Sequence, residues 1–143
     1  MASEVSDPEK GEGYTVASLN GLGDGPGFRK IRPAIGVTAF GINAIVLPPG
    51  AETGRHFHDR QEEVYFVHRG RVEMEFGDGS TVALEPGGVV RVDAATVRKL
   101  RNAGDEDAVY VVVGGEGGYV GRDGRLPGDD RERVRRTAPP AGA

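Results

Sequence analysis

Two of the three histidines in this chain stand together as His56-Phe57-His58. In an extended strand residues i and i+2 point to the same face. This tripeptide therefore aims two imidazoles one way, as a shared metal ion requires. Glu63 follows after four residues, at the head of the apolar run Val64 to Val67. Two imidazoles and one carboxylate with open positions suit iron(II), manganese, nickel or zinc. No thiolate competes, because the chain contains no cysteine; disulfides and cysteine-ligated zinc are excluded with it. Gly50 precedes His56 by five intervening residues, and Gly70 follows Glu63 after six. Two glycines so placed bracket a strand, a turn and a strand where the backbone must bend sharply.

The neighbours of these residues divide by strand alternation. Tyr65 and Val67 share the face of Glu63, so both are expected to line a pocket. There Tyr65 is a substrate-binding candidate, as hydrogen-bond donor or acid, although a core role is the more common one for such a residue. Glu62 and His68 alternate away and are expected at the surface, as is Arg55. Arg131, Arg133, Arg135 and Arg136 are interleaved with acidic residues, which describes a solvated face rather than a nucleic-acid patch.

The elements that must position the His-Glu cluster are short and β-rich. The chain has 143 residues, with 24 Gly and nine Pro. That is one domain's worth of chain, in which no long helix finds an uninterrupted stretch. Runs at Ile42 to Leu47, Val64 to Val67, Arg71 to Phe76, Thr81 to Leu84, Val89 to Val92 and Val97 to Arg101 alternate with turn signals. That spacing predicts an all-β sandwich or barrel. Asp78-Gly79 between two such runs predicts a tight hairpin with a type I′ turn. Ala108 to Val113 is apolar on both faces and is expected at the centre of a sheet. The absence of βα alternation argues against doubly wound and (β/α)8 folds. Before Phe28 the chain reads as an N-terminal arm, residues 1–27, with at most one short edge strand. After Gly115 it reads as an extension and tail, residues 116–143, in which Asp129 to Arg136 is expected as a short solvated helix. The barrel then occupies residues 28–115.

The segment Gly50 to Gly70 resembles the first cupin motif: Gly, five residues, His-x-His, a short spacer, Glu, six residues, Gly. Val46-Leu47-Pro48-Pro49-Gly50 and Glu62 to Val67 are similar to cupin strands. The resemblance covers roughly Phe28 to Gly115 and implies a double-stranded β-helix jelly roll. The second cupin motif is opened here by Gly87 and closed by Asn102 at the right separation. Between them Asp93-Ala94-Ala95 stands where Pro-x-Gly is expected. Arg98 stands where the resemblance places a fourth, histidine ligand.

Two readings of that replacement stay open. In one, His56, His58 and Glu63 hold a divalent metal, and Arg98 clamps the carboxylate of a small anionic substrate. The resemblance then implies an oxygenase, isomerase or decarboxylase. In the other, the barrel is a metal-free, non-catalytic ligand-binding module in which Arg98 pairs with Glu63. A structural or storage cupin is a third class, disfavoured by the short length. The resemblance also implies a homodimer, and the isolated apolar anchors Val16 and Leu19 in the arm fit an exchanged segment. A net charge of −4 disfavours nucleic acid as a partner. The acidic start of the chain and the lack of any apolar run near the ~20 residues that span a bilayer predict no membrane partner and a cytoplasmic location.

Overall fold

The computed structural model describes residues 4–127. The expected helix at Asp129 to Arg136, the arginines within it and the tail beyond lie outside the described residues. In chain order the elements are β1 (Glu9–Lys10), β2 (Thr15–Val16), a 3-10 turn (Leu19–Gly21), β3 (Gly27–Arg29), α1 (Ile31–Ile35), β4 (Gly41–Leu47), β5 (Phe57–His58), β6 (Glu62–Arg69), β7 (Val72–Phe76), β8 (Thr81–Leu84), β9 (Val89–Val92), β10 (Arg98–Asn102), β11 (Ala108–Gly115) and β12 (Gly124–Arg125). No helix among the described residues is long and apolar enough to cross a membrane.

Two antiparallel sheets form the sandwich. One has strand order β3-β4-β11-β6-β9 and the other β10-β7-β8. Strand β11 lies in the middle of the larger sheet, as its two-faced apolar sequence requires. The strands that face solvent on one side alternate. In β6 Glu63, Tyr65 and Val67 are buried while Val64, Phe66 and His68 are exposed. In β10 Arg98, Leu100 and Asn102 point inward. Tyr65, Val67 and Tyr110 from the larger sheet meet Val72, Met74 and Leu100 from the smaller one in a single core. Burying a side chain of this size contributes roughly 1.5–3 kcal/mol. The closing Asn102 ties the barrel's edge together. Its side-chain amide donates to the carbonyls of Leu47 and Glu106, each at 2.8 Å, and its oxygen accepts the Gly104 N–H at 2.8 Å. These are the partners a fully buried amide needs.

Gly50 and Gly70 both have positive φ, at 77° and 81°. At Gly70 a Cβ would also collide with the backbone of Ala108, so only glycine fits this corner. The hairpin between β7 and β8 differs from the type I′ expectation. Gly79 has φ 89°, but Asp78 has no positive φ. Asp78 instead caps the loop with its carboxylate, accepting the Ser80 N–H at 2.9 Å and hydroxyl at 2.6 Å. A loop one residue longer than the tight turn lets only its last residue adopt the left-handed conformation.

The segment read as an arm folds back on itself. β1 and β2 pair with each other, Glu9 opposite Val16, and Val16 is exposed on this small ribbon. Beyond it, α1 is a single helical turn that Gly36 terminates at φ 77°, its N–H donating to the Arg32 carbonyl. Pro33 is tolerated there because it lies in the first turn.

Candidate metal centre

Three backbone pairings bring the candidate ligands together. His56 and Arg98 face each other across an isolated bridge, exchanging both backbone hydrogen bonds at 2.9 and 3.0 Å. The His58 N–H donates to the Ala94 carbonyl at 2.7 Å. Glu63 lies opposite Val92 on one side and Gly114 on the other. Only Phe57–His58 is regular strand, but the i, i+2 alternation still turns both imidazoles inward, to 5% and 4% exposure. Their ring centroids are 5.3 Å apart and nearly perpendicular. One ligand atom from each of His56, His58 and Glu63 falls within 4.8 Å of the others.

Arg98 does occupy the inward register, and it is fully buried. Its guanidinium donates to Glu63 Oε1 at 2.7 Å, to the Tyr65 hydroxyl at 3.3 Å, and to the carbonyls of Thr96, Ala94 and Asp93 at 2.6, 3.2 and 3.3 Å. The sequence Asp93-Ala94-Ala95, in place of Pro-x-Gly, forms the turn whose carbonyls hold it. The Tyr65 hydroxyl also donates to Glu63 Oε1 at 2.7 Å. Arg98, Tyr65 and Glu63 therefore form one buried hydrogen-bonded cluster. A lone buried charge would be costly, and here the cation and the carboxylate are matched.

The electrostatics follow from these contacts. Burial, reinforced by the Arg98 charge, lowers the pKa of His56 to about 4. Its Nδ1 lies 3.2 Å from the Gly54 carbonyl; a proton held there leaves Nε2 as a free lone pair. Burial alone would raise Glu63, but the His58 ring, Arg98 and the Tyr65 hydroxyl overcome it and hold the carboxyl near 2. Burial and the Glu63 charge push the Tyr65 phenol well above its usual value, so it stays a donor. His58 Nε2 lies 3.3 Å from Glu63 Oε1. It is poorly aligned for a hydrogen bond, and it is a buried side-chain polar atom with no hydrogen-bond partner among the described residues. An orphaned imidazole nitrogen aimed at a carboxylate and a second imidazole fits a metal ligand set.

The far side of His58 is held by residues that strand periodicity did not single out. Its Nδ1 lies 3.2 Å from the Gln61 amide and 3.8 Å from Asp123 Oδ2. Asp123 reaches the site because β12 pairs with β5, Gly124 opposite His58. The Asp123 carboxylate accepts the backbone N–H groups of Arg60 and Gln61 at 2.9 and 2.8 Å. Hence the chain beyond residue 115 returns to buttress the β5–β6 turn. The sequence carries no local signal for a contact of that span. Glu62 and Arg55 are exposed as expected, paired with Arg91 and Glu75.

The chain matches the cupin domain family over residues 44–114. It is 30% identical over 77 residues to a protein described as polyketide synthase CurC from Streptomyces cyaneus, covering 54% of this chain and 49% of that one. It is 32% identical over 68 residues to an oxalate-binding protein from Thermotoga maritima, covering 47% of this chain and 54% of that one. The chain thus spans about half the length of the curated relatives it matches. Among solved structures it resembles a sugar phosphate isomerase of the cupin superfamily from Silicibacter pomeroyi, with 27% identity, a TM-score of 0.58, and coverage of 78% of this chain and 69% of that one. The matched segment, the double-stranded β-helix and the inward His-x-His and Glu side chains agree, and the chain belongs to the cupin superfamily.

Proposed function

We propose that this is a small-molecule cupin that holds a divalent metal at His56, His58 and Glu63 and acts on a small anionic molecule. By family resemblance the reaction is of the oxygenase, isomerase or decarboxylase kind. The observation that carries the reading is the convergence of three buried side chains, each with a ligand atom within 4.8 Å of the others, beside a His58 Nε2 that makes no hydrogen bond among the described residues. The charge states suit it: burial keeps His56 neutral at neutral pH, and Glu63 is paired as a carboxylate with Arg98. A bound ion would act as a Lewis acid toward an oxygen donor of the substrate.

The chain's own residues would prepare that site. Glu63 keeps Oε1 on Arg98 and Tyr65, which fix the carboxylate's orientation. A half-turn of the Gln61 amide presents its oxygen to His58 Nδ1. With Asp123 behind it, that acceptor holds the proton on Nδ1 and leaves Nε2 for the ion. The relatives support a small-molecule role without naming this chain's substrate, since one is described as oxalate-binding and another as a sugar phosphate isomerase. The outer face of the larger sheet exposes Val64, Phe66 and Val89, the last two opposite each other on β6 and β9, and that strip is where a homodimer would form.

A second reading has its own support. The Arg98–Glu63 pair at 2.7 Å places a permanent cation where the metal's charge would act, which favours a metal-free binding module. Metal content of protein purified without added metal separates the two. The first reading expects close to one divalent ion per chain, and the second expects none.

A further inference from the structure

The anion clamp assigned to Arg98 on sequence grounds has a better-placed candidate elsewhere. Arg98 is fully buried, holds Glu63, Tyr65 and three carbonyls, and lines neither of the two cavities next to the site. Releasing it to a ligand would strand Glu63 in the interior. The larger cavity, about 600 Å3, has His58 and Glu63 on its floor and Lys30, Arg32 and Arg122 on its walls.

Those three cations differ from most others in the chain. Arg55, Arg60, Arg71, Arg91, Lys99 and Arg125 each reach a carboxylate. Lys30, Arg32 and Arg122 form no ion pair among the described residues. Arg32 instead stacks 3.8 Å over the Tyr119 ring and hydrogen-bonds the Val37 carbonyl at 3.5 Å, which holds its charge at the cavity wall. Arg122 has φ 50°, the one non-glycine residue with positive φ among the described residues. A long side chain in that conformation costs roughly 1–2 kcal/mol and persists where the surroundings hold it, commonly at ligand sites. A protein of net charge −4 that gathers three cations with no ion pair among the described residues around the rim of one cavity focuses positive potential at that rim.

We propose that Lys30, Arg32 and Arg122 bind the oxyanion, a phosphate or a carboxylate, of a hydroxylated small molecule whose uncharged end reaches His58 and Glu63. The floor carries two carboxylates, Glu63 paired with Arg98 and the buried Asp123 held by the Arg60 and Gln61 N–H groups, so it has no positive charge to offer an anion. It does offer carboxylate acceptors and the His58 imidazole to hydroxyl or carbonyl groups. Charge therefore orients the ligand, with its anionic end at the mouth. The assignment of the ligand's uncharged end rests on the floor being the functional centre, whereas the mouth's preference for an anion does not.

Calorimetry with ribose, ribonate and ribose 5-phosphate tests this on the full chain, both stripped with chelator and loaded with zinc. Wild type is expected to bind at least one of the two anions about tenfold or more tighter than ribose in both states, because charge-assisted contacts outweigh neutral ones. Which anion gains more tells phosphate from carboxylate. Raising salt from about 20 mM to about 300 mM should shrink the advantage, since these charges are solvent-accessible. The double variant Lys30→Gln, Arg122→Gln should lose it while retaining zinc affinity and thermal stability. Arg122→Gly, which removes the positive-φ strain along with the charge, is a second variant expected to lose part of it and fold at least as well. Equal affinity of wild type for all three probes, or an advantage that survives in both variants, overturns the proposal. Loss of zinc binding with the anion preference intact would instead defeat the metal reading of the floor and leave the mouth assignment standing.

Discussion

One cation beneath the floor of the larger cavity and three on its walls behave in opposite ways. Arg98 beneath the floor is fully buried, bound to a carboxylate, a phenol and three carbonyls. Lys30 and Arg122 at the mouth are exposed, with Arg32 half-buried between them. A buried arginine with every contact satisfied is part of the scaffold, and its removal is felt as unfolding. A cation held near open space without a counter-charge adds little to stability and is available to a ligand. The same residue type thus does structural work in one layer and recognition in the next.

The comparison breaks most visibly through Arg98→Met. That change leaves Glu63 buried without its cation and should destabilise the fold by about 3–5 kcal/mol in urea denaturation, much of a small domain's total of about 5–15 kcal/mol. A loss under about 1 kcal/mol would mean that the pair is not the scaffold's anchor.

Acid should come next. The folded pKa of His56 is about 4 against 6.5 when unfolded. Between these values the unfolded chain takes up a proton that the folded chain refuses, so stability present above 6.5 is lost as pH falls toward 4. The loss is about 3 kcal/mol from His56. Glu63, near 2 when folded against 4.5 unfolded, adds a further loss below pH 4.5. Chelator-treated protein melted across pH 7 to 4 should show a falling Tm, and His56→Gln should flatten the curve. A flat wild-type curve would show that His56 is not held neutral by burial.

The mouth should respond in the other direction. Arg122→Gly relieves the one strained non-glycine φ and is expected to raise stability by up to about 1 kcal/mol. Lys30→Gln should change stability by no more than about 0.5 kcal/mol. A large loss from either variant would erase the distinction between the two layers.

The parts of this arrangement that were legible in the sequence share one physical basis. His56, His58, Glu63 and Tyr65 lie on or beside strands, and the two-residue period tells which face each one takes; for Arg98 the position comes from the resemblance to the second cupin motif. The burial of Arg98, Leu100 and Asn102 in β10 follows from the same rule. What was not legible depends on where loops dock. Asp123 supports a turn some sixty residues earlier in the chain through β12, and Lys30, Arg32 and Arg122 share a cavity only because α1 and the segment after β11 fold over the barrel mouth. No periodicity encodes such contacts. The Asp78 loop departs from a type I′ turn for a smaller reason: Asp-Gly marks a turn, but the side-chain capping by Asp78 selects which turn forms.

The central claim is that the floor binds a metal through chain-specific ligands. Titration of chelator-stripped protein with zinc, followed by calorimetry, tests it for wild type and for His58→Ala, with the fold of each checked by its thermal melt. The account predicts one zinc per chain in wild type and binding at least about a hundredfold weaker in the variant. No heat of binding in wild type, or equal affinity in the two proteins, would contradict it and leave the Arg98–Glu63 pair as the floor's permanent occupant.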